Sequence, residues 1–211
     1  MKGYLMRILN TYLFVLLLNC FFSFCVWASE PYSGYPVHQA IAENNCKYVR
    51  EYIKNGGSPN LQTDGGVTLL HAAVIYDNLK LVKYLLERGA NPNLKDFKYG
   101  TTPINTSVAN SLDDNISVSF EIIELLISKG ANVNNHDKIH GTSLFSHLVT
   151  EACVYPRFFS SEYEVKIRDI FDKSDFRVTP ADYQRLDAAY LSEENKDCAS
   201  FFRNIIEKNR Y

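Results

Sequence analysis

The feature that most constrains this chain is an internal repeat with a period of about 33 residues. The clearest unit opens at 66–73 with GVTLLHAA and closes at 81–93 with LVKYLLERGANPN. One period earlier the chain reads PVHQA at 36–40 and YVREYIKNGGSPN at 48–60, and one period later it opens again at 100–104 with GTTPI. Because a unit this short cannot bury its own apolar face, the repeat predicts a stack of similar units.

Each unit is predicted to contain two short helices that end in tight turns. In the second helix of the clearest unit, Leu81, Leu85 and Leu86 follow helical spacing and form one apolar stripe. Gly89 and Gly130 then stand where a helix ends in a left-handed residue, a conformation that glycine adopts at little cost. The stripe is predicted to face the first helix of the same unit.

These opening and closing motifs resemble the ankyrin repeat family, whose units open with G-x-T-P-L-H-x-A and close with L-L-x-x-G-A-x-x-N. The resemblance covers about residues 33–178. It implies an all-α solenoid of helix-turn-helix units joined by β-hairpin fingers, which we expect near Asp64, Asp96 and Asp137. The implied boundaries are units at about 33–65, 66–99, 100–140 and 141–178, and a C-terminal capping helix pair at 179–211.

The start of the chain is typical of a secretory signal peptide. Lys2 and Arg7 precede an apolar run at 12–27, and Ala28 then supplies a small residue of the kind that signal peptidase requires. We therefore expect residues 1–28 to be removed and the mature repeat domain to span 29–211, without a membrane span.

Two other outcomes are open for this segment. An uncleaved segment would act as a membrane anchor, because the apolar run is only slightly shorter than the roughly 20 residues that span a bilayer. Cleavage before Cys20 would instead produce a lipoprotein, although Asn19 is a poor residue for that peptidase. An anchored chain would still have its repeats outside the cytoplasm, because positive charge precedes the apolar run.

Charge argues against nucleic acid as a partner. The chain has 22 Lys and Arg against 24 Asp and Glu. Loss of Lys2 and Arg7 with the leader leaves 20 basic side chains and a formal net charge of −4. A chain without a basic excess has no general attraction for a phosphate backbone.

The mature chain keeps three cysteines, Cys46, Cys153 and Cys198. An oxidising compartment permits one bridge among them, and the pair that we favour is Cys153–Cys198. The alternative is that all three are half-buried free thiols, because three is odd and none forms a C-x-x-C pair.

Four residues in the middle of the array are predicted to bind a protein partner. Ile75 and Tyr76 lie at the end of an inner helix, where the family usually shows polar or variable side chains. Phe97 and Tyr99 lie in the following finger, close to lysines. Aromatic residues combined with a few charges are typical of interface centres.

Two insertions between helices provide a second candidate surface. One is at 111–119, and the other contains the adjacent aromatic residues Phe158 and Phe159. Both fall on the edge opposite the fingers, and insertions on one face of a repeat array often belong to a binding surface. The alternative is a pair of packed loops that shield each other.

The sequence contains no motif for catalysis, a metal or a cofactor. No H-E-x-x-H, G-x-S-x-G, Walker-type or dinucleotide-binding glycine pattern occurs. His136 and His140 are four apart but fall in a predicted hairpin, where that spacing does not bring two ligands together. His38 and His71 stand at the ankyrin turn position, where the resemblance implies bonds to the backbone of neighbouring turns.

We therefore expect a non-enzymatic protein-binding module that is exported and is a monomer when free. The most concrete role is a periplasmic immunity or inhibitor protein that masks a toxin or lipase. The alternatives are a secreted host-directed ankyrin effector and a protector of a periplasmic enzyme.

Cleavage of the leader gives a direct prediction. Because Val26 and Ala28 occupy the two positions that signal peptidase reads before Ser29, the purified extracytoplasmic protein should begin at Ser29. Intact-mass spectrometry measures this. A mature protein that still carries Met1, or one that is lipid-modified at Cys20, would contradict the prediction.

Overall fold

The computed structural model describes residues 35–109, 116–139, 141–154, 160–190 and 196–209. Within these ranges the chain forms ten helices in five consecutive pairs, each with an inner and an outer helix. The inner helices are α1 (Pro36–Ala42), α3 (Leu69–Ile75), α5 (Pro103–Ala109), α7 (Leu144–Val154) and α9 (Pro180–Tyr190). The outer helices are α2 (Cys46–Lys54), α4 (Leu79–Glu87), α6 (Ile116–Ser128), α8 (Ser161–Lys173) and α10 (Lys196–Lys208). The predicted all-α stack of helix pairs is confirmed, and the predicted signal peptide lies outside the described residues.

The helix pairs pack in chain order to form one continuous core. Each inner helix contacts the next from α1 to α9, whereas the corresponding strong contacts between outer helices are α4 with α6 and α8 with α10. Because the inner layer is packed more continuously, we place it on the concave side of the stack. The predicted stripe of Leu81, Leu85 and Leu86 is buried in this core, as expected.

The outer helices α4 and α6 are followed by glycines in the left-handed conformation, as predicted from the sequence. Gly89 has a φ of +87° and Gly130 a φ of +85°. At the end of α4 the amide of Ala90 donates to the carbonyl of Leu85 at 3.0 Å, which completes a Schellman cap. After the inner helices α1 and α3, the second residue beyond the helix end also has a positive φ. These residues are Asn44 and Asp77.

One side-chain position near the start of each inner helix joins neighbouring units. In α3 the amide of Thr68 donates to His71 Nδ1 at 3.2 Å, while Nε2 of the same ring lies 3.1 Å from the carbonyl oxygen of Thr101. His38 bonds the next unit in the same way through the carbonyl of Val67, at 3.0 Å. The turn-position role implied for both histidines is therefore present in the fold.

Other polar residues fill this position in later units. Asn105 donates to the carbonyl of Thr142 at 3.4 Å. The last inner helix places Asp182 there, fully buried. Its carboxylate accepts the hydroxyls of Ser143 and Ser146 at 2.7 and 2.8 Å and that of Thr179 at 2.7 Å. These donors satisfy a charge that would otherwise be costly to bury, and they fix α9 against α7.

A second set of side-chain bonds runs along the outer helix ends. Asn93 donates to the carbonyl of Gly130 at 2.8 Å and accepts the amide of Asn132 at 2.8 Å. Asn60 makes the corresponding pair of bonds to the preceding interface, with Gly89 and Asn91. Each of these two junctions is therefore held by one asparagine that bridges two backbone groups.

The connection between α8 and α9 lacks a finger. Asn134 bonds the carbonyl of Asp175 and the amide of Arg177, so Asp175 stands at the position that glycine occupies in earlier units. Only residues 178–179 separate Arg177 from the start of α9. The chain therefore passes directly from the asparagine ladder into the next inner helix.

A disulfide between Cys153 and Cys198 joins α7 to α10. This is the pair that we favoured from the sequence, and Cys46 remains a half-buried free thiol. The same two helices also meet through Phe145, which packs edge-on against Phe202 with ring centroids 5.5 Å apart. The last helix pair is thus attached by a covalent bond and aromatic packing where earlier units use fingers.

The His71 position predicts an acid-dependent loss of stability. Burial lowers the pKa of His71 from 6.5 to about 4. The unfolded state therefore takes up a proton at a higher pH than the folded state does. The neutral His71 therefore contributes its full share of the free energy of unfolding above pH 6.5. This contribution falls by about 3 kcal/mol as the pH decreases from 6.5 to 4.

His71→Asn is a matched variant, because Asn105 occupies the equivalent position in the next unit and does not titrate. We expect the free energy of unfolding in urea to fall by about 3 kcal/mol less between pH 7 and pH 4 in the variant than in the wild type. Equal losses in the two proteins would show that the imidazole is not the acid-sensitive group.

Candidate functional site

The inner helices of the first three units expose only a narrow strip of residues, chiefly Pro36, Gln39, Ile75 and Thr106. Helices α1, α3 and α5 contain no Lys, Arg, Asp or Glu. His38 and His71 are buried in these helices, and burial lowers the pKa of each, so both imidazoles are neutral near pH 7. The outer helices α2 and α4 carry several charged side chains each. A depletion of charge on one face is a property of the centres of protein interfaces.

Tyr76 is the most exposed large side chain beside this strip, and the equivalent position after α1 is the exposed Glu43. It caps the C-terminal end of α3 and is 40% exposed, while Ile75 next to it is half-buried. Burial raises the pKa of the Tyr76 hydroxyl, which therefore stays protonated and can donate a hydrogen bond at neutral pH. An aromatic ring with a polar tip is the kind of anchor that interfaces use most.

The fingers are tight turns held by inward-facing carboxylates. The Asp96 carboxylate accepts hydrogen bonds from the amides of Tyr99 and Thr101 at 2.6 and 2.8 Å. It also accepts a hydrogen bond from the Thr101 hydroxyl. Asp137 accepts the amides of Ile139 and Thr142, both at 2.8 Å. The β-hairpin fingers predicted near Asp64, Asp96 and Asp137 occur as tight turns without strands in the described residues, and one isolated antiparallel bridge, between Gln62 and Thr68, crosses the first of them.

Neighbouring fingers are joined through their backbones. The amide of Phe97 donates to the carbonyl of Gly65 at 2.8 Å, and the amide of Lys138 donates to that of Tyr99 at 2.7 Å. At Gly66, where φ is +81°, an added Cβ would lie 2.6 Å from the Phe97 nitrogen. The second finger therefore approaches the first more closely than any side chain would allow.

The predicted binding residues fall into two groups on the structure. Phe97 is 61% exposed, and Tyr99 is half-buried on the same finger. Ile75 and Tyr76 lie at the other end of α3, a seven-residue helix of about 10 Å. A partner that contacts both groups must extend along the helix. Phe158 and Phe159 lie outside the described residues, so their predicted role remains a prediction.

Two residues of the third finger were not recognised in the sequence. Ile139 is 53% exposed, and Lys138 is exposed beside it. Superposing Asp137 on Asp96 as the two turn-holding carboxylates would have shown that these residues occupy the tip positions of Phe97 and Lys98.

Within the described ranges, no group of three or more His, Cys, Asp or Glu side chains could hold a metal ion. His136 lies 3.5 Å from the Thr179 hydroxyl, and His140 is outside the described residues. In the same part of the chain, no helix is both long enough and apolar enough to cross a membrane.

Comparison with known families gives one match. Residues 37–137 match a family model described as ankyrin repeats, in three copies. These residues include the first three inner helices with their exposed strip and the first two fingers. No curated protein matches the chain.

Gly66 and Gly89 offer a matched test of the finger contact. Both have positive φ, but an added Cβ meets nothing within 4 Å at Gly89. Gly89→Ala should lower the free energy of unfolding by about 1 kcal/mol, through backbone strain alone. Gly66→Ala should cost about 1–3 kcal/mol more, because it also displaces the finger at Phe97.

Urea unfolding of the two variants measures this difference. Hydrogen exchange at the Phe97 amide, which should become faster only in Gly66→Ala, locates the change in the finger. Equal destabilisation of the two variants with unchanged exchange would contradict the close packing of the fingers.

Proposed function

Because residues 37–137 are ankyrin repeats, we propose that this protein is a non-enzymatic protein-binding module that acts outside the cytoplasm. Ankyrin repeats imply protein binding as a general function, and no common catalytic activity accompanies them. The observation that carries the proposal is the exposed Tyr76 at the end of an inner helix, in a row of inner helices that carry no charged side chain. Such a surface loses little free energy through desolvation of charge when a protein covers it.

The proposed site combines two kinds of contact. Tyr76 and Ile75 provide an aromatic and aliphatic anchor at the end of α3, and Phe97 and Tyr99 provide a second one on the finger. The edge residues Phe158 and Phe159 are the alternative contact region. A rigid surface of this kind loses little conformational freedom on binding, because its backbone is already fixed by the bonds between units.

Two observations support a location outside the cytoplasm. The first 28 residues have the sequence features of a signal peptide. The Cys153–Cys198 disulfide fits an oxidising compartment, because such bonds are rare in the reducing cytoplasm. Neither observation depends on the other, since the leader and the disulfide are at opposite ends of the chain.

The most concrete form of the proposal is a periplasmic immunity or inhibitor protein that masks a toxin or lipase. A protein that remains in the periplasm and is encoded beside a toxin or lipase would favour this form. Release into the medium would favour the alternative of a secreted host-directed effector. A neighbouring gene for a periplasmic enzyme that loses activity without this protein would favour the third form, a protector.

The test compares two double variants in a pull-down from the native extracytoplasmic extract. Tyr76→Ala/Phe97→Ala removes the two proposed anchors. Tyr48→Ala/Val165→Ala is the matched control, because Tyr48 and Val165 are 44% and 66% exposed on outer helices. A buried aromatic anchor is worth roughly 2 kcal/mol at an interface centre, about a thirtyfold change in affinity, so retention of the partner should fall only in the first variant.

Circular dichroism must first show equal helicity and melting for all three proteins, so that a loss of fold is not read as a loss of contact. If the folded Tyr76→Ala/Phe97→Ala protein retains a specific partner as well as the wild type does, this surface is not the binding site. The edge insertions would then be the site to vary next.

A further inference from the structure

The tips of the second and third fingers form a continuous surface on which lysines lie beside exposed apolar side chains. We call it the finger-tip patch, and it consists of Lys95, Phe97, Lys98, Tyr99, Lys138 and Ile139. The two fingers are in direct contact, because the amide of Lys138 donates to the carbonyl of Tyr99 and Lys95 Nζ donates to the carbonyl of His136 at 3.2 Å. The patch is therefore one surface.

The patch is basic because both acidic residues of these fingers are buried. Asp96 and Asp137 are 4% and 8% exposed and accept hydrogen bonds from their own turns. Lys98 and Lys138 are exposed, and Lys95 is half-buried. This local excess of positive charge stands in a mature chain whose formal net charge is −4.

Exposed apolar groups lie among these lysines. Phe97 and Ile139 are two of the most exposed large hydrophobic side chains in the described residues. Lys98 Nζ lies 4.6 Å from the centre of the Tyr99 ring. The tight turns hold these side chains outward, since each turn is fixed by a buried aspartate.

We propose that the finger-tip patch binds an acidic polypeptide segment that carries an aromatic or aliphatic anchor. This inference rests on the proposed protein-binding function and adds the chemistry of the partner. Carboxylates of the segment would pair with Lys98 and Lys138, and its apolar side chain would cover Phe97 and Ile139. Complementary charge at the rim of an interface raises the association rate and selects among partners.

An acidic protein segment fits the patch better than the other polyanions do. The net charge of −4 opposes adsorption of the whole protein to an anionic bilayer or a nucleic acid, whose fields extend over many charges. A short peptide segment meets only the local lysines. The neighbouring strip on the inner helices would then receive a less charged part of the same partner.

The test uses the mature protein with its disulfide intact and a fluorescent random copolymer of glutamate and tyrosine as the probe. Polyglutamate, vesicles of phosphatidylglycerol and duplex DNA are the comparison probes. Lys98→Glu/Lys138→Glu reverses the charge of the patch. Lys80→Glu/Lys83→Glu makes the same charge change at two exposed lysines of α4 and is the matched control.

We expect the wild type to bind the copolymer more tightly than polyglutamate, because polyglutamate lacks the apolar anchor. Lys98→Glu/Lys138→Glu should weaken binding of the copolymer at least about tenfold at low ionic strength, and added salt should reduce that difference. Phe97→Ala/Ile139→Ala should remove the preference for the copolymer. The Lys80→Glu/Lys83→Glu control should bind within about twofold of the wild type.

Three results would overturn the inference: no binding of the copolymer, equal weakening in the two charge variants, or patch-dependent binding to vesicles or DNA in place of the copolymer. A pull-down with the single variant Tyr76→Ala, which leaves the finger-tip patch intact, tests the broader function separately. If retention of the partner depends on Tyr76 but not on Lys98 and Lys138, the proposed protein-binding function is supported. Only the inference that the partner binds through an acidic segment is then rejected.

Discussion

The structure depends on hydrogen bonds that run from a side chain of one unit to the backbone of the next. Asn93 bridges the carbonyl of Gly130 and the amide of Asn132, and His71 bridges Thr68 and the carbonyl of Thr101. Apolar burial alone would allow neighbouring helix pairs to slide or rotate, because it has no direction. These bonds have fixed length and angle, so they set the register between units.

Register at each junction determines what the protein shows to solvent. Once the inner helices are aligned, the few uncharged residues that each of them exposes lie in one continuous strip. The fingers follow from the same alignment, since the amides of Phe97 and Lys138 meet the preceding finger only at that offset. The surface proposed for binding is thus a consequence of the bonds that hold the units together, and it needs no structural change to form.

The repeat motifs, through the family that they resemble, were enough to predict the fold, because each motif residue has the same physical role in its unit. Gly89 ends a helix, and His71 joins its own turn to that of the next unit, which lies one repeat further along the chain. The candidate site was predictable only in part. The exposure of Phe97 follows from its turn, but the contribution of Ile139 required the third finger to be superposed on the second. The burial of Asp96 and Asp137 could not be predicted from the sequence, because an aspartate in a turn can be either buried or exposed. Asp64, in the first finger, is exposed.

The missing finger before α9 has a consequence for how such a chain can change in length. Duplication of a middle unit would copy both its inner-helix side chain and its ladder asparagine, so the new unit would find partners on either side. A copy placed after Arg177 would meet a helix that is entered without a finger and is tied by Cys198 to α7. We therefore expect insertion of a repeat to destabilise the protein less in the interior of the array than after Arg177.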